Sequence, residues 1–153
     1  MNYELRIKNS RGFTLIELLI VIAIIGVLAT LLMVNFIGVR QRARDAQRKS
    51  DIRQIQSALE LYRSDNGFYP RSNLNQFPAC KSPLTYTPPG GNTTTYMQTV
   101  PCDPSTNTGY TYTSTDGISY TMVACLENVS DSQADTTKVS SCTTPASFTV
   151  KNP

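Results

Sequence analysis

The sequence predicts an α+β fold: a long N-terminal α-helix, apolar in its first half and amphipathic in its second, packed on a small antiparallel sheet of three or four strands. Three observations carry this. Residues 18–34 hold no charge, and their only polar side chain is Thr30. No proline occurs before Pro70 and no cysteine before Cys80, so the composition of this 153-residue chain breaks near residue 65. Residues 109–126 alternate aromatic or apolar side chains with Thr and Ser around Asp116-Gly117, the pattern of a β-hairpin.

The apolar run comes first. From Leu18 to Val39 it makes a helix of about 33 Å at ~1.5 Å per residue. That length covers a hydrocarbon core of ~30 Å. Glu17 stands at its start, at the fifth position counted from Phe13. A carboxylate in a membrane costs on the order of 2.5 kcal/mol or more unless it is paired or stays near the interface. Cutting the chain between Gly12 and Phe13 would create an α-ammonium one helical turn from Glu17. That i,i+4 pair, within one chain or between two, neutralises both charges. Residues 1–12 set Arg6, Lys8 and Arg11 against Glu4 and read as a basic leader. The charge of Glu17 and the length of the run argue against an ordinary secretory signal, and an uncleaved signal anchor is the plainer alternative.

Residues 40–64 continue the helix. Val39, Ala43, Ala46, Ile52, Ile55, Leu59 and Tyr62 are read as one apolar face. Asp65-Asn66-Gly67 is the expected stop, with Gly67 as a left-handed cap and Pro70 beyond it. Arg40, Arg42, Arg44, Arg48 and Lys49 are read as a solvated or subunit-facing surface near the headgroups. Nucleic-acid binding is the rival use, but no aromatic residue interleaves these charges.

Residues 71–108 read as loops, with Pro101-Cys102-Asp103-Pro104 as a turn signal. Strands are expected at 109–113 and 118–125, the second with Ile118, Tyr120, Met122 and Ala124 on one face, and a last one at 146–150. The sheet should pack on Ile52, Ile55, Leu59 and Tyr62. Four cysteines allow three pairings. The two local loops, Cys80–Cys102 and Cys125–Cys142, are favoured.

Charge is uneven. Residues 1–63 carry ten Lys/Arg and five Asp/Glu, and residues 64–153 carry four and six, for a total of +3. Basic residues flank the apolar run on both sides, and their count alone would favour a cytoplasmic C-terminus. An even cysteine count behind an export signal favours disulfides and an oxidising compartment, which places the C-terminal half outside. Histidine is absent, so the usual general base and commonest metal ligand are missing. No catalytic residues are assigned, and the chain is read as no enzyme.

The segment Arg11-Gly12-Phe13-Thr14-Leu15-Ile16-Glu17 resembles the class III signal of type IV prepilins and type II secretion pseudopilins. Asp65-Asn66-Gly67-Phe68-Tyr69-Pro70 after a helix ending in Tyr62 is similar to the same family, as is the Pro101-Cys102-Asp103-Pro104 turn. Val34 stands where many members hold proline, and Asn35 and Gly38 are the nearest candidates for a soft spot. The resemblance implies a pilin-like fold, cleavage after Gly12 by a prepilin peptidase, N-methylation of Phe13, and a role for Glu17 in docking one subunit on its neighbour. It implies an assembly ATPase, a platform protein, the inner membrane and further copies of the chain as partners. The helix would lie in that membrane as a single pass before the subunit enters an extracellular filament. Some major pseudopilins bind calcium in the region of Asn128, Asp131 and Asp135; the spacing matches no EF-hand, and a solvated loop without cofactor is the plainer reading.

The expected organisation is a leader at 1–12, a membrane and assembly helix at 13–39, an amphipathic helix at 40–64 and a disulfide-containing head at 65–153. The leading function is a type IV pilus subunit. The alternatives are a major pseudopilin of a type II secretion system and, from a different class, a membrane-anchored binding or adhesion module.

Overall fold

A computed structural model describes residues 12–153. They form a helix α1 (Leu15–Asn66), a 3-10 turn (Ser72–Leu74) and strands β1 (Leu84–Tyr86), β2 (Thr94–Met97), β3 (Thr111–Thr113), β4 (Thr121–Leu126) and β5 (Ala146–Lys151). The chain divides into two compact units, residues 1–37 and 38–153. The expected leader lies outside the described residues except for Gly12.

In the first unit, α1 starts after Thr14 and presents apolar side chains to the surroundings all round, from Leu15 through Leu31. A helix that is apolar on every side has no stable place in water by itself. Within α1, neither Leu15–Leu31 nor Phe36–Asn66 meets the length and composition of a membrane span alone. Taken together across residues 32–35 they do.

In the second unit, α1 buries one stripe. Ile52, Ile55, Leu59 and Tyr62 are at most 1 % exposed, as the sequence predicts. The stripe continues toward the N-terminus through Asp45 and Arg48, which are equally buried. Ala43 and Ala46 are exposed and Val39 is more than half exposed, which corrects the apolar face expected for residues 39–46. The physical reason is phase. Steps of three and four back from Ile52 reach Arg48 and Asp45, whereas Ala43 and Ala46 point about the other way at 3.6 residues per turn. The helix ends at Asn66, where the Gly67 N–H donates to the Arg63 carbonyl at 2.7 Å and Gly67 takes φ +80°. That is the left-handed stop expected of glycine.

The strands form two sheets, not one. β1 pairs antiparallel with β2, and β4 lies between β3 and β5 in a second antiparallel sheet. β1 and β2 fall in the segment expected to be loop. In the three-stranded sheet Tyr112, Met122 and Val150 share one level, and Ala124 pairs with Phe148 on the same face. These side chains join Ile52, Ile55, Leu59, Tyr62, Leu84 and Val100 in a single apolar core. Each fully buried aliphatic side chain contributes roughly 1.5–3 kcal/mol. Aromatic rings complete the core: Phe68, Tyr86 and Tyr96 surround Tyr62 at centroid distances of 5.9, 5.5 and 5.0 Å. Burial, then the neighbouring Tyr86 and Tyr96, push the Tyr62 hydroxyl up to about 12.

Ile118 is 68 % exposed, against the expectation that it shares a face with Tyr120. It belongs to the turn, since β4 begins only at Thr121. The Asp116 carboxylate accepts the Ile118 and Ser119 N–H groups there, and Gly117 takes φ +73°. Both expected disulfides form, Cys80–Cys102 and Cys125–Cys142, with Cα atoms 5.2 and 5.4 Å apart. Each contributes about 3 kcal/mol by restricting the unfolded chain.

Candidate assembly site

The residues at the start of α1 are set out for contact. Gly12 is exposed with nothing near its α-carbon, and Phe13 is 82 % exposed. Neither is held in secondary structure, because α1 begins at Leu15. Thr14 is the N-cap. The Thr14 N–H and hydroxyl both donate to Glu17 Oε2, at 2.9 and 2.6 Å, and the Glu17 N–H donates back to the Thr14 hydroxyl at 3.3 Å. This reciprocal box satisfies orphan donors of the first helical turn and puts negative charge at the positive end of the helix dipole. It also fixes where Glu17 stands: exposed, in the first turn of the helix and four residues past Phe13. Thr-x-x-Glu before an apolar run is the signature of such a box, and the chain carries it at Thr14 and Glu17.

A second constellation lies in the other unit, where the helix meets the head. Arg48 is 2 % exposed and forms ion pairs with Asp45 at 2.7 Å, Asp103 at 2.6 Å and Glu127 at 2.9 Å. It also donates to the Ser105 hydroxyl at 2.7 Å. Asp45 accepts the backbone N–H groups of Glu127 and Asn128, so it holds the start of the loop after β4. Arg44 pairs with Glu127, and Lys49 pairs with Asp131. Asp51 accepts a hydrogen bond from the Tyr110 hydroxyl at 2.7 Å. The cluster is a latch between α1 and two loops, and it corrects the reading of this basic run as a solvated face. Three of its five cations turn inward.

The electrostatics follow the contacts. The hydrogen bond from Arg44 outweighs burial, and with Ser105 and Arg48 brings Glu127 down to about 2. Burial raises Asp103, but Arg48 and the Ser105 and Thr106 N–H groups overcome it, so the net shift is downward. Asp51 moves the other way, because burial dominates over the Tyr110 hydrogen bond.

The candidate calcium residues each have protein partners of their own. Asp131 accepts from Lys49 Nζ at 2.7 Å and from the Gln133 N–H. Asp135 accepts from the Ser147 and Thr149 hydroxyls at 2.6 and 2.7 Å, which ties the loop to β5. Asn128 Oδ1 accepts the Ser130 N–H. Among the described residues, no three His, Cys, Asp or Glu side chains come together to hold a metal ion.

Comparison with known proteins gives two family matches. Residues 7–33 match the prokaryotic N-terminal methylation motif, and residues 35–140 match type II secretion system (T2SS), protein G. The chain is 38 % identical over 99 residues to the type II secretion system core protein G of Escherichia coli (strain K12), covering 63 % of this chain and 67 % of that protein. It is 36 % identical over 98 residues to the protein of the same description from Dickeya chrysanthemi, covering 63 % and 64 %. With the one from Klebsiella michiganensis it shares 35 % over 105 residues, covering 65 % and 71 %. No solved structure matches significantly.

Proposed function

The chain belongs to the type II secretion system protein G family, and from that membership we propose that it is a structural subunit of a secretion pseudopilus, assembled through its N-terminal helix. The match over residues 35–140 favours this over the type IV pilus subunit that leads the sequence reading. The subunit is stored in the inner membrane with its head outside. A prepilin peptidase cuts after Gly12, and Phe13 becomes the methylated N-terminus. An assembly ATPase and a platform protein then add subunits to the filament. The same apolar surface serves both states, bilayer first and filament core second.

The observation that carries the proposal is Glu17. It is a carboxylate at the head of an exposed apolar helix, four residues after an exposed Phe13. In the free chain, among the described residues, its charge is met by Thr14. In the filament the Phe13 ammonium of a neighbouring copy takes that place, which removes an unpaired charge from an apolar core. Two substitutions separate the roles. Glu17→Gln keeps an N-cap acceptor for Thr14 but loses the charge; Glu17→Ala loses both. The expected result is that both variants insert into the membrane and are cut, and neither assembles. Normal filaments from Glu17→Gln would show that the charge pair is not what joins subunits.

A further inference from the structure

The loop between β4 and β5, residues 127–145, is pinned to the head at three points. At its start, the Asp45 carboxylate accepts the Glu127 and Asn128 N–H groups. In its middle, Lys49 Nζ donates to both oxygens of Asp131, at 2.9 and 2.7 Å. Further on, Asp135 accepts the Ser147 hydroxyl and both the hydroxyl and the N–H of Thr149. Two of these pins come from α1. Asp45 and Lys49 are four residues apart, so they leave the helix on the same side.

Calcium is the cation that the family resemblance suggests for this loop, and the donor set does not suit it. Calcium takes about six to eight oxygens at about 2.3–2.6 Å. Both Asp131 oxygens already lie on an ammonium group, and Oδ1 also accepts the Gln133 N–H. A calcium ion at Asp131 would stand against the Lys49 charge. Other oxygens of the loop have donors as well. Asn128 Oδ1 accepts the Ser130 N–H, and the Asn128 and Asp131 carbonyls accept the Asp131 and Ala134 N–H groups of the loop's own turns. To gather these ligands, calcium would have to expel Lys49 and pull Asp135 from β5.

We infer that Lys49 is the built-in counter-cation of this loop, filling the role of a bound divalent ion, so that the head closes on α1 without calcium. Lys49 and Asp131 keep only 16 % and 13 % of their side-chain exposure. Charge-assisted hydrogen bonds at such a site are worth more than an exposed ion pair. The remaining carboxylates of the loop are committed too, Glu127 to Arg44 and Arg48 and Asp135 to β5.

The test is urea unfolding of the full chain in detergent, once with calcium and once with a chelator. The readout is unfolding of the head, so the result is independent of whether the chain forms filaments. A calcium site with a Kd of about 10⁻⁴ M would favour the folded state about a hundredfold at about 10 mM calcium. The wild type should instead show the same midpoint under both conditions. Lys49→Met keeps an apolar stem and removes the ammonium. In chelator its unfolding equilibrium constant should rise about tenfold or more. Lys49→Arg keeps the charge and should recover most of that loss. A wild-type midpoint that calcium raises overturns the inference, and this comparison stands even where a variant fails to fold. Lys49→Met as stable as the wild type overturns it as well, because Lys49 would not hold the loop. Lys49→Arg falling as far as Lys49→Met would mean that the shape of the side chain acts rather than its charge, and would overturn the counter-cation role.

Discussion

Replacing Arg48 with alanine should destabilise the head by about 3–5 kcal/mol, the range for removing one partner of a buried ion pair. The contacts put it in that range rather than below it. Arg48 is 2 % exposed, Asp45 is fully buried, and Asp103 and Glu127 keep only 11 % and 17 % of their side-chain exposure. Glu127 would retain Arg44, but Asp45 and Asp103 would lose their cation while remaining out of water. Urea denaturation of the full chain in detergent, followed by tyrosine fluorescence, reads the change without interference because the chain has no tryptophan. With a slope of about 1.5 kcal/mol per M, the midpoint should fall by roughly 2–3 M. The pH dependence makes the prediction specific. Asp103 and Glu127 have folded pKa values below their unfolded ones, so their contribution is present above about pH 4.5 and is lost as pH falls toward about 2. Without Arg48, only the Ser105 and Thr106 N–H groups are left to oppose the burial of Asp103, so its charged form loses its counter-charge. The variant should therefore lose less stability than wild type on acidification from pH 7 toward pH 4, and the gap to wild type should narrow. A gap of the same size at both pH values would mean that Arg48 acts by packing and not as the counter-charge of the latch.

Other consequences are as concrete. Tyr110→Phe removes the hydrogen bond to the buried Asp51 and should cost about 1–3 kcal/mol at pH 7; because burial already raises Asp51, the loss should shrink as that carboxyl is protonated, as pH-dependent denaturation would read. Gly117→Ala should destabilise more than Gly67→Ala, since both sit at positive φ but an added Cβ at Gly117 comes within 3.2 Å of the Tyr69 carbonyl while Gly67 has open space; the strain alone is about 1–2 kcal/mol, and melting temperatures of the two variants decide it. Replacing Cys125 and Cys142 together by alanine should cost about 3 kcal/mol, measured against the wild type under the same denaturant, and the equality of the two curves would remove the disulfide from the stability of the head.

The parts of this fold legible in the sequence are those that local pattern determines. Ile52, Ile55, Leu59 and Tyr62 repeat in steps of three and four, and Gly67 before Pro70 marks an end that no other residue pair nearby offers. The N-terminal site is legible for the same reason: Gly12, Phe13 and Glu17 lie within six residues. What stayed hidden depends on partners far away in the chain. Arg48 reads as a surface cation until Asp103, 55 residues on, is brought to it. Asp45 reads as solvated until the Glu127 N–H, 82 residues on, points at it. With those two read as surface residues, Ala43 and Ala46 extend the apolar pattern back toward Val39 out of phase with the buried stripe. β1 and β2 are three and four residues long, in a segment rich in Pro, Gly and Thr, so their alternation is too short to stand out. Thr14 is legible as a cap, since its spacing to Glu17 is local.

Assembly through the N-terminal helix requires cleavage between Gly12 and Phe13, and the mass of the mature protein tests that directly. The chain is expressed in cells that carry the cognate peptidase, recovered from the membrane fraction, and its N-terminal peptide is sequenced by mass spectrometry. A first residue of N-methylated Phe13 is the predicted result, and it places Glu17 at the fifth position of the mature chain, where a neighbour's ammonium can reach it. A mature chain that still begins at Met1, or that is cut elsewhere, contradicts the assembly mechanism at its first step and leaves a membrane-anchored exported domain in its place.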